Sequence, residues 1–312
     1  MTTMSATVRP QSISVELTKP PRTLWSDAMR RYRKHKFALI GMTVLFLFVV
    51  ASYLGPYIYT TDPQALDFVY TLAAPGVGGH ILGSDDLGRD LLARAFVGGR
   101  ISLAVGFVAM LIAVSVGSVI GAVSGFFGGK IDQILMRITD LFLSLPVLPL
   151  LLLTVYLFRD PVTKALGQER GIFIIVVVMI GSLAWMQTAR IVRASFLSLK
   201  QKEFVEAAVN IGVSRRSIMF KHILPNAMSP IIVAASIEVG NAILTESVLS
   251  FLGVGFPPDT PTWGRLVTDG GQYLQAAPWL ALVPGTLIFL TVLSINFMGD
   301  GLRDALDPRQ KQ

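Results

Sequence analysis

Residues 101–127 read ISLAVGFVAMLIAVSVGSVIGAVSGFF, without a single Asp, Glu, Lys or Arg. A hydrocarbon core of about 30 Å is crossed by roughly 20 helical residues, so this run is long enough to span a bilayer. It also carries Ala109, Ala113, Gly117, Gly121 and Gly125, a small residue at every fourth position. Such a stripe lies along one face of a helix and lets another backbone approach closely, so this face is expected to pack tightly on a neighbouring helix. The glycines that follow, Gly128-Gly129-Lys130, do not complete a phosphate loop. Ser124 stands where the first glycine is required and Ile131 where Ser or Thr is required.

The rest of the chain agrees with that run. Hydrophobic residues make up 52% of the 312 residues, charged residues 15%, and the mean hydropathy is +0.60. A soluble chain of this length could reach that balance only by starving its surface of charge. Further apolar stretches cover 37–54, 141–158, 171–189, 230–252 and 279–298, which gives six expected spans and an all-α integral membrane protein. The polar tail 1–36 is too long for a cleaved signal, so the first span is read as a retained anchor. There is no cysteine, which removes disulfides, thiolate metal sites and cysteine nucleophiles. His35, His80 and His222 stand far apart, outside any helical ligand spacing, and a zinc hydrolase is not expected.

The net charge of +7 is distributed in a way that speaks to orientation. With a cytoplasmic amino terminus, 20 of the 27 Lys and Arg fall in cytoplasmic segments. The remaining 7 are Arg89, Arg94, Arg100, Arg159, Lys164, Arg170 and Arg265, outside. That asymmetry predicts both termini in the cytoplasm. Domain by domain, the reading is a cytoplasmic tail over 1–36, the first span and its extracytoplasmic segment over 37–100, and a five-helix core over 101–312 with a long cytoplasmic loop at 190–229 and a short cytoplasmic carboxyl-terminal tail.

Within the outer segment, Leu87, Leu91, Leu92, Ala95 and Phe96 share a helical face, with Asp85–Arg89 and Asp90–Arg94 as i,i+4 ion pairs on another. The expectation is a helix lying in the outer interface. An Asp-rich metal site is the alternative, weakened by the neighbouring arginines. In the cytoplasmic loop, helix formers precede Gly212, Ser214 is placed to cap a second helix, and Leu224-Pro225 is expected to end it. The result is two short helices joined at a glycine. A DNA-binding version is disfavoured because the loop is short and tethered to spans at both ends, so nucleic acid is not an expected partner.

Glu206-Ala207-Ala208, Gly212 and Leu224-Pro225 resemble, in identity and spacing, the EAA loop of bacterial ABC importer permeases, with His222 at a position that usually holds isoleucine. Three further stretches are similar to the second permease of dipeptide and oligopeptide importers. They are Leu82 through Asp90, the run from Leu249 through Gly255 and Pro257-Pro258 to Pro261-Thr262-Trp263-Gly264, and Asn296 through Pro308. The resemblance implies a permease subunit with no active site of its own, coupled to separate ATPases through Glu206, Ala207, Ala208, Gly212, Arg215, Arg216, Leu224 and Pro225. It implies a homologous second permease, two ATPase subunits carrying ATP and Mg, an extracytoplasmic solute-binding protein and a peptide solute, all at the bacterial cell (inner or plasma) membrane among its lipids. No cofactor is expected on this chain. Nickel chelates or glutathione remain alternative cargoes.

Glu238 and Glu246 are the acids well inside a span. An Asp at the bilayer centre costs about 2.5–3.5 kcal/mol, and by analogy both glutamates should face protein or water. Either could line a polar path or make an inter-helix hydrogen bond, and the second role is preferred for Glu246. A secondary transporter that passes protons through these acids is the rival reading. An intramembrane enzyme is another, but no nucleophile–base pair or ligand cluster in the spans supports it.

Overall fold

The computed structural model describes residues 24–306, so most of the tail expected over 1–36, together with Asp307-Pro308, lies outside the described residues. The helices are α1 (Leu24–Tyr32), α2 (Lys36–Ile58), α3 (Leu91–Phe127), α4 (Gly129–Ser144), α5 (Val147–Leu166), α6 (Gln168–Lys200), α7 (Glu203–Asn210), the single turn α8 (Arg215–Ser217), α9 (Leu224–Phe251), α10 (Trp263–Gly271) and α11 (Trp279–Leu306). Five helices or continuous helical runs within 24–306 are long and apolar enough to cross a membrane, and six if the bent pair α4–α5 counts as one span. That pair contains the expected span 141–158, broken by an 85° bend. The cause is local. Leu145 precedes Pro146, which disfavours the helical region, and Leu145 is extended at φ −76°, ψ 139°.

The small-residue face of α3 packs on α6 within this chain. A methyl group at Gly117 would come 2.6 Å from the Trp185 carbonyl, one at Gly125 would come 2.7 Å from Phe196 Cβ, and one at Gly121 would overlap the Ala189 carbonyl. This α3–α6 pair centres the bundle, with α9 laid across both and α11 and α2 stacked outside α9 and α3. Gly121→Leu should therefore prise α3 from α6. Overpacking costs about 1–3 kcal/mol or more, and we expect a lower thermal midpoint and less monodisperse protein after detergent extraction. Gly240→Ala, where the nearest atom lies at an ordinary 3.5 Å, should behave as wild type.

Two expectations about local structure are corrected. No separate interfacial helix forms in the outer segment. Residues 60–90 are turns, with Gly88 at φ +75° against the backbone of Asp67, and Leu91, Leu92, Ala95 and Phe96 belong to the first turns of α3. Asp90 caps α3 by accepting from the Ala93 N–H at 2.8 Å, so the helix begins there and runs unbroken into the span. Nor does Leu224-Pro225 end a helix. Residues Arg215 to Phe251 form one helical run, with a wide π-type turn at Ile218–Ile223 immediately before the proline. The wider turn makes room for the pyrrolidine ring, and the Asn226 amide donates to the His222 carbonyl at 2.7 Å.

Candidate functional site

The segment carrying Glu206-Ala207-Ala208 and Gly212 sits where α3 and α6 finish. On the short helix α7, Val205 and Ala208 turn inward and join Phe126, Val192, Phe196, Ile218 and Ile223 in an apolar cluster. The opposite side carries Phe204, Glu206, Ala207, Val209 and Ile211, all exposed, with Ile211 80% accessible. The two alanines of the motif thus divide the work: Ala208 fits α7 to its own bundle and Ala207 keeps the outer surface low.

Gly212 terminates α7 at φ +80°. The Val213 N–H reaches the Ala208 carbonyl and the Gly212 N–H the Val209 carbonyl, both at 3.0 Å, the paired bonds of a Schellman end. Ser214 then caps α8, accepting from the Ser217 N–H at 3.4 Å. This reversal leaves Arg215 and Arg216 exposed beside Glu206 and Ala207. A cleft of about 480 Å³ opens between α7 and the helix ends, lined in part by Phe126, Lys200, Glu206, Val209 and Arg215. Leu224 is half-buried and Pro225 exposed, beyond the π-type turn. The site therefore brings Glu206 and Arg215 to one cleft, leaves Ala207, Gly212 and Arg216 exposed, buries Ala208 in the bundle, and sets Leu224-Pro225 at the start of α9.

Two anchoring contacts escaped the sequence. Arg193 on α6 holds Asp132 on α4 through two hydrogen bonds of 2.5 and 2.6 Å, with the Ser124 hydroxyl on the same carboxylate. Lys200 donates to the Phe126 carbonyl at 2.7 Å, bonding the last turn of α6 to the last turn of α3. In neither pair is one partner near the other in sequence, so no local spacing signalled the contact.

At the other end of the bundle, Glu246 is fully buried. Its Oε1 accepts from Ser250 at 2.7 Å and from Thr262 at 2.9 Å. The Thr262 hydroxyl also accepts from the Arg265 N–H at 3.0 Å as the cap of α10. Next to it the Trp263 N–H donates to Ser102 at 3.1 Å and its indole N–H to the Ala95 carbonyl at 3.0 Å, both on α3. Glu246 therefore fastens α9 to α10 where both meet α3. Glu238, eight residues earlier, is half-buried, on a different side of α9. We expect Glu246→Gln to retain assembly and substantial uptake, because an amide keeps an acceptor oxygen for the two hydroxyls. Glu246→Leu should cost about 1–3 kcal/mol for each hydroxyl left unsatisfied, visible as lost detergent-stable complex.

The outer segment is anchored by charge. Asp85 accepts from Arg89 at 2.7 Å, as the i,i+4 spacing predicts, but Arg94 reaches Asp85 at 3.0 Å and Asp269 at 3.7 Å instead of Asp90. Asp90 is occupied by the Ala93 N–H, by Tyr59 at 2.8 Å and by His80 Nδ1 at 2.9 Å. These aspartates are filled by cations and donors, and among the described residues no group of three acids or histidines is placed to hold a metal. Burial pushes the Asp269 carboxyl above the usual range, against the pull of Arg265 and Arg94.

Comparison with known proteins puts these features in a family. Residues 117–312 match the family described as binding-protein-dependent transport system inner membrane component, and residues 23–75 the N-terminal transmembrane domain of oligopeptide transport permease C. The chain is 42% identical to the oligopeptide transport system permease protein OppC of Haemophilus influenzae over 95% of its own length and 92% of that protein. It is 37% identical to the glutathione transport system permease protein GsiD of Pectobacterium atrosepticum, over 94% of each. Among solved structures, an inward-facing conformation of the MetNI methionine ABC transporter superposes with a TM-score of 0.54 at 23% identity, covering 67% of this chain and 94% of that one, a likeness of fold. The spans, the EAA surface at the end of α3 and α6 and these matches together make this chain a member of the binding-protein-dependent inner-membrane permease family, in its OppC/DppC-like branch.

Proposed function

We propose that this chain forms half of the membrane path of a dipeptide and oligopeptide importer, pairing with a homologous second permease above two ATPase subunits and receiving its solute from an extracytoplasmic binding protein. Family membership makes the chain the membrane component and leaves ATP hydrolysis to a separate subunit; the ATP and Mg would be bound there. The observation that carries the mechanism is the surface around α7: a motif helix whose inner face is locked to the ends of α3 and α6 and whose outer face is bare. An ATPase docked on Phe204, Ala207, Val209 and Ile211, with its acids against Arg215 and Arg216, can push α7 as a unit. Because α7 is cemented to two spanning helices, its displacement reaches the bundle without a flexible joint. Glu206 and Gly212 set the shape of this surface, Ala208 its seat, and Leu224-Pro225 its link to α9.

The proposal includes the domain division, with 1–36 a cytoplasmic tail, 37–100 the first span and outer segment, and 101–312 the permease core. In this reading both termini lie in the cytoplasm, an orientation supported by the basic asymmetry. Reporter fusions after Lys202 should be cytoplasmic and those after Gln272 extracytoplasmic. A cytoplasmic signal at Gln272 would remove this topology. Peptide cargo is supported by the match of residues 23–75 to the N-terminal transmembrane domain of oligopeptide transport permease C and by the 42% identity to the oligopeptide permease of Haemophilus influenzae. The deciding experiment is ATP-driven uptake by the assembled complex in proteoliposomes, offered a di- to pentapeptide panel and glutathione. Uptake of glutathione with no peptide uptake would overturn the cargo assignment.

A further inference from the structure

A second cavity, of about 490 Å³, opens where α6 begins. Its walls are Ile101 of α3, Phe173 and Ile174 of α6, and Phe256 from the segment joining α9 to α10; Glu169 and Arg170 stand at its lip. Phe256 is buried in the main apolar cluster with Val105, Ile172 and Val176, so this wall is fixed by the core of the bundle. The volume is within the range of small-molecule sites, and the walls are apolar with a few charged groups at one edge, the usual makeup of such a site.

The charges at the lip are unspent. Neither Glu169 nor Arg170 is engaged by another described side chain, although both are exposed. As neighbours on a helix they point about 100° apart, so they do not neutralise one another. A solvated surface pair of this kind usually signifies nothing. Here each charge borders an apolar cavity, where fields fall off less than in water. The arrangement offers one anion-seeking and one cation-seeking group beside aromatic and branched aliphatic walls.

A free peptide matches that arrangement, with an α-ammonium and an α-carboxylate, both ionised at neutral pH, and side chains between them. We propose that this cavity is a peptide subsite of the permease: Glu169 receives the α-ammonium, Arg170 the α-carboxylate, and Phe173, Ile174, Phe256 and Ile101 the side chains of a short peptide. This rests on the importer reading and deepens it, because it gives the permease its own recognition of the termini. At about 3.3–3.6 Å of reach per extended residue, two neighbouring charges suit a di- or tripeptide in preference to a long chain. A zwitterionic lipid headgroup presents the same pair of charges, so the test must separate the two sources.

The assembled complex in proteoliposomes, without binding protein, is photolabelled with a tripeptide carrying a benzophenone side chain, and the label is mapped. The expected result is labelling at Phe173 or Phe256, competed by unlabelled tripeptide and about tenfold less well by its N-acetyl or amide form, the scale of one lost charged hydrogen bond. Glu169→Gln should erase the difference between free and acetylated competitor, and Arg170→Gln that between acid and amide, with Glu169→Asp restoring the first. Vesicles made without phosphatidylethanolamine should give the same labelling. Equal competition by blocked peptides, labelling elsewhere, or a site filled only when that lipid is present would each overturn the subsite. Wild-type complex that imports no peptide even with its binding protein would instead sink the importer reading itself.

Discussion

Gly212→Val should leave the permease in the membrane at near wild-type levels while cutting peptide uptake roughly tenfold, the effect of about 1–2 kcal/mol of backbone strain placed at the turn that aims α7. Gly212 sits at φ +80° with no other atom within 4 Å of where a side chain would begin, so the obstacle is the conformation and not crowding. A β-branched residue resists that region more than any other kind. Relieving the strain means breaking the bonds from Val213 to Ala208 and from Gly212 to Val209 and re-aiming Ile211, Arg215 and Arg216. The spans are held by their own packing, so insertion survives. Co-purification of the ATPase and peptide-stimulated hydrolysis measure the effect. Normal stimulation together with normal uptake would show that this turn transmits no force. Gly212→Asn, which tolerates the left-handed region, should fall between the two.

Arg94→Met is expected to have the largest effect on stability, about 3–5 kcal/mol locally. The Arg94 side chain is 2% exposed and lies between Asp85 and Asp269, with the Pro258 carbonyl at 3.4 Å. Removing it leaves Asp269 with Arg265 alone and Asp85 with Arg89 alone. Limited proteolysis at residues 60–80 and at the α9–α10 connection should show both opening together. The pH dependence has a defined sign. The Asp269 carboxyl already titrates above its unfolded value because of burial, so the folded state holds the proton more tightly. Losing the Arg94 cation raises it further. Stability of the variant should therefore recover as pH falls through that raised value and be lost again as pH rises. Arg94→Met combined with Asp85→Asn should lose less than Arg94→Met alone, since removing both partners spares an unpaired buried charge.

The outer segment shows where pattern reading stops. The apolar spacing of Leu91, Leu92, Ala95 and Phe96 is helical and does form helix, but whether that helix lies in the interface or continues into a span depends on what Asp90 does. Its spacing to Arg94 suggests an ion pair, yet a carboxylate at a helix start also meets bare N–H groups, and here that choice wins. Arg94 then finds Asp269, 175 positions away in the chain. No local rule links those two residues. The same holds for Asp132 and Arg193.

Hydrophobicity, basic asymmetry and the small-residue stripe of α3 are properties of order along the chain, and the bilayer converts order directly into topology: length decides what spans, and small side chains decide what can approach. The motif Glu206-Ala207-Ala208 with Gly212 was legible for the same reason, since a Schellman end needs only neighbours in sequence. The break at Pro146 is likewise local, but tertiary structure alone decided that the stripe meets α6, that Pro225 is absorbed by a π-type turn, and that Glu246 joins Thr262. A polar group in a span must find a partner, and the sequence shows the need. Which partner meets it depends on how helices cross, and that is settled by packing at distances the chain order does not encode.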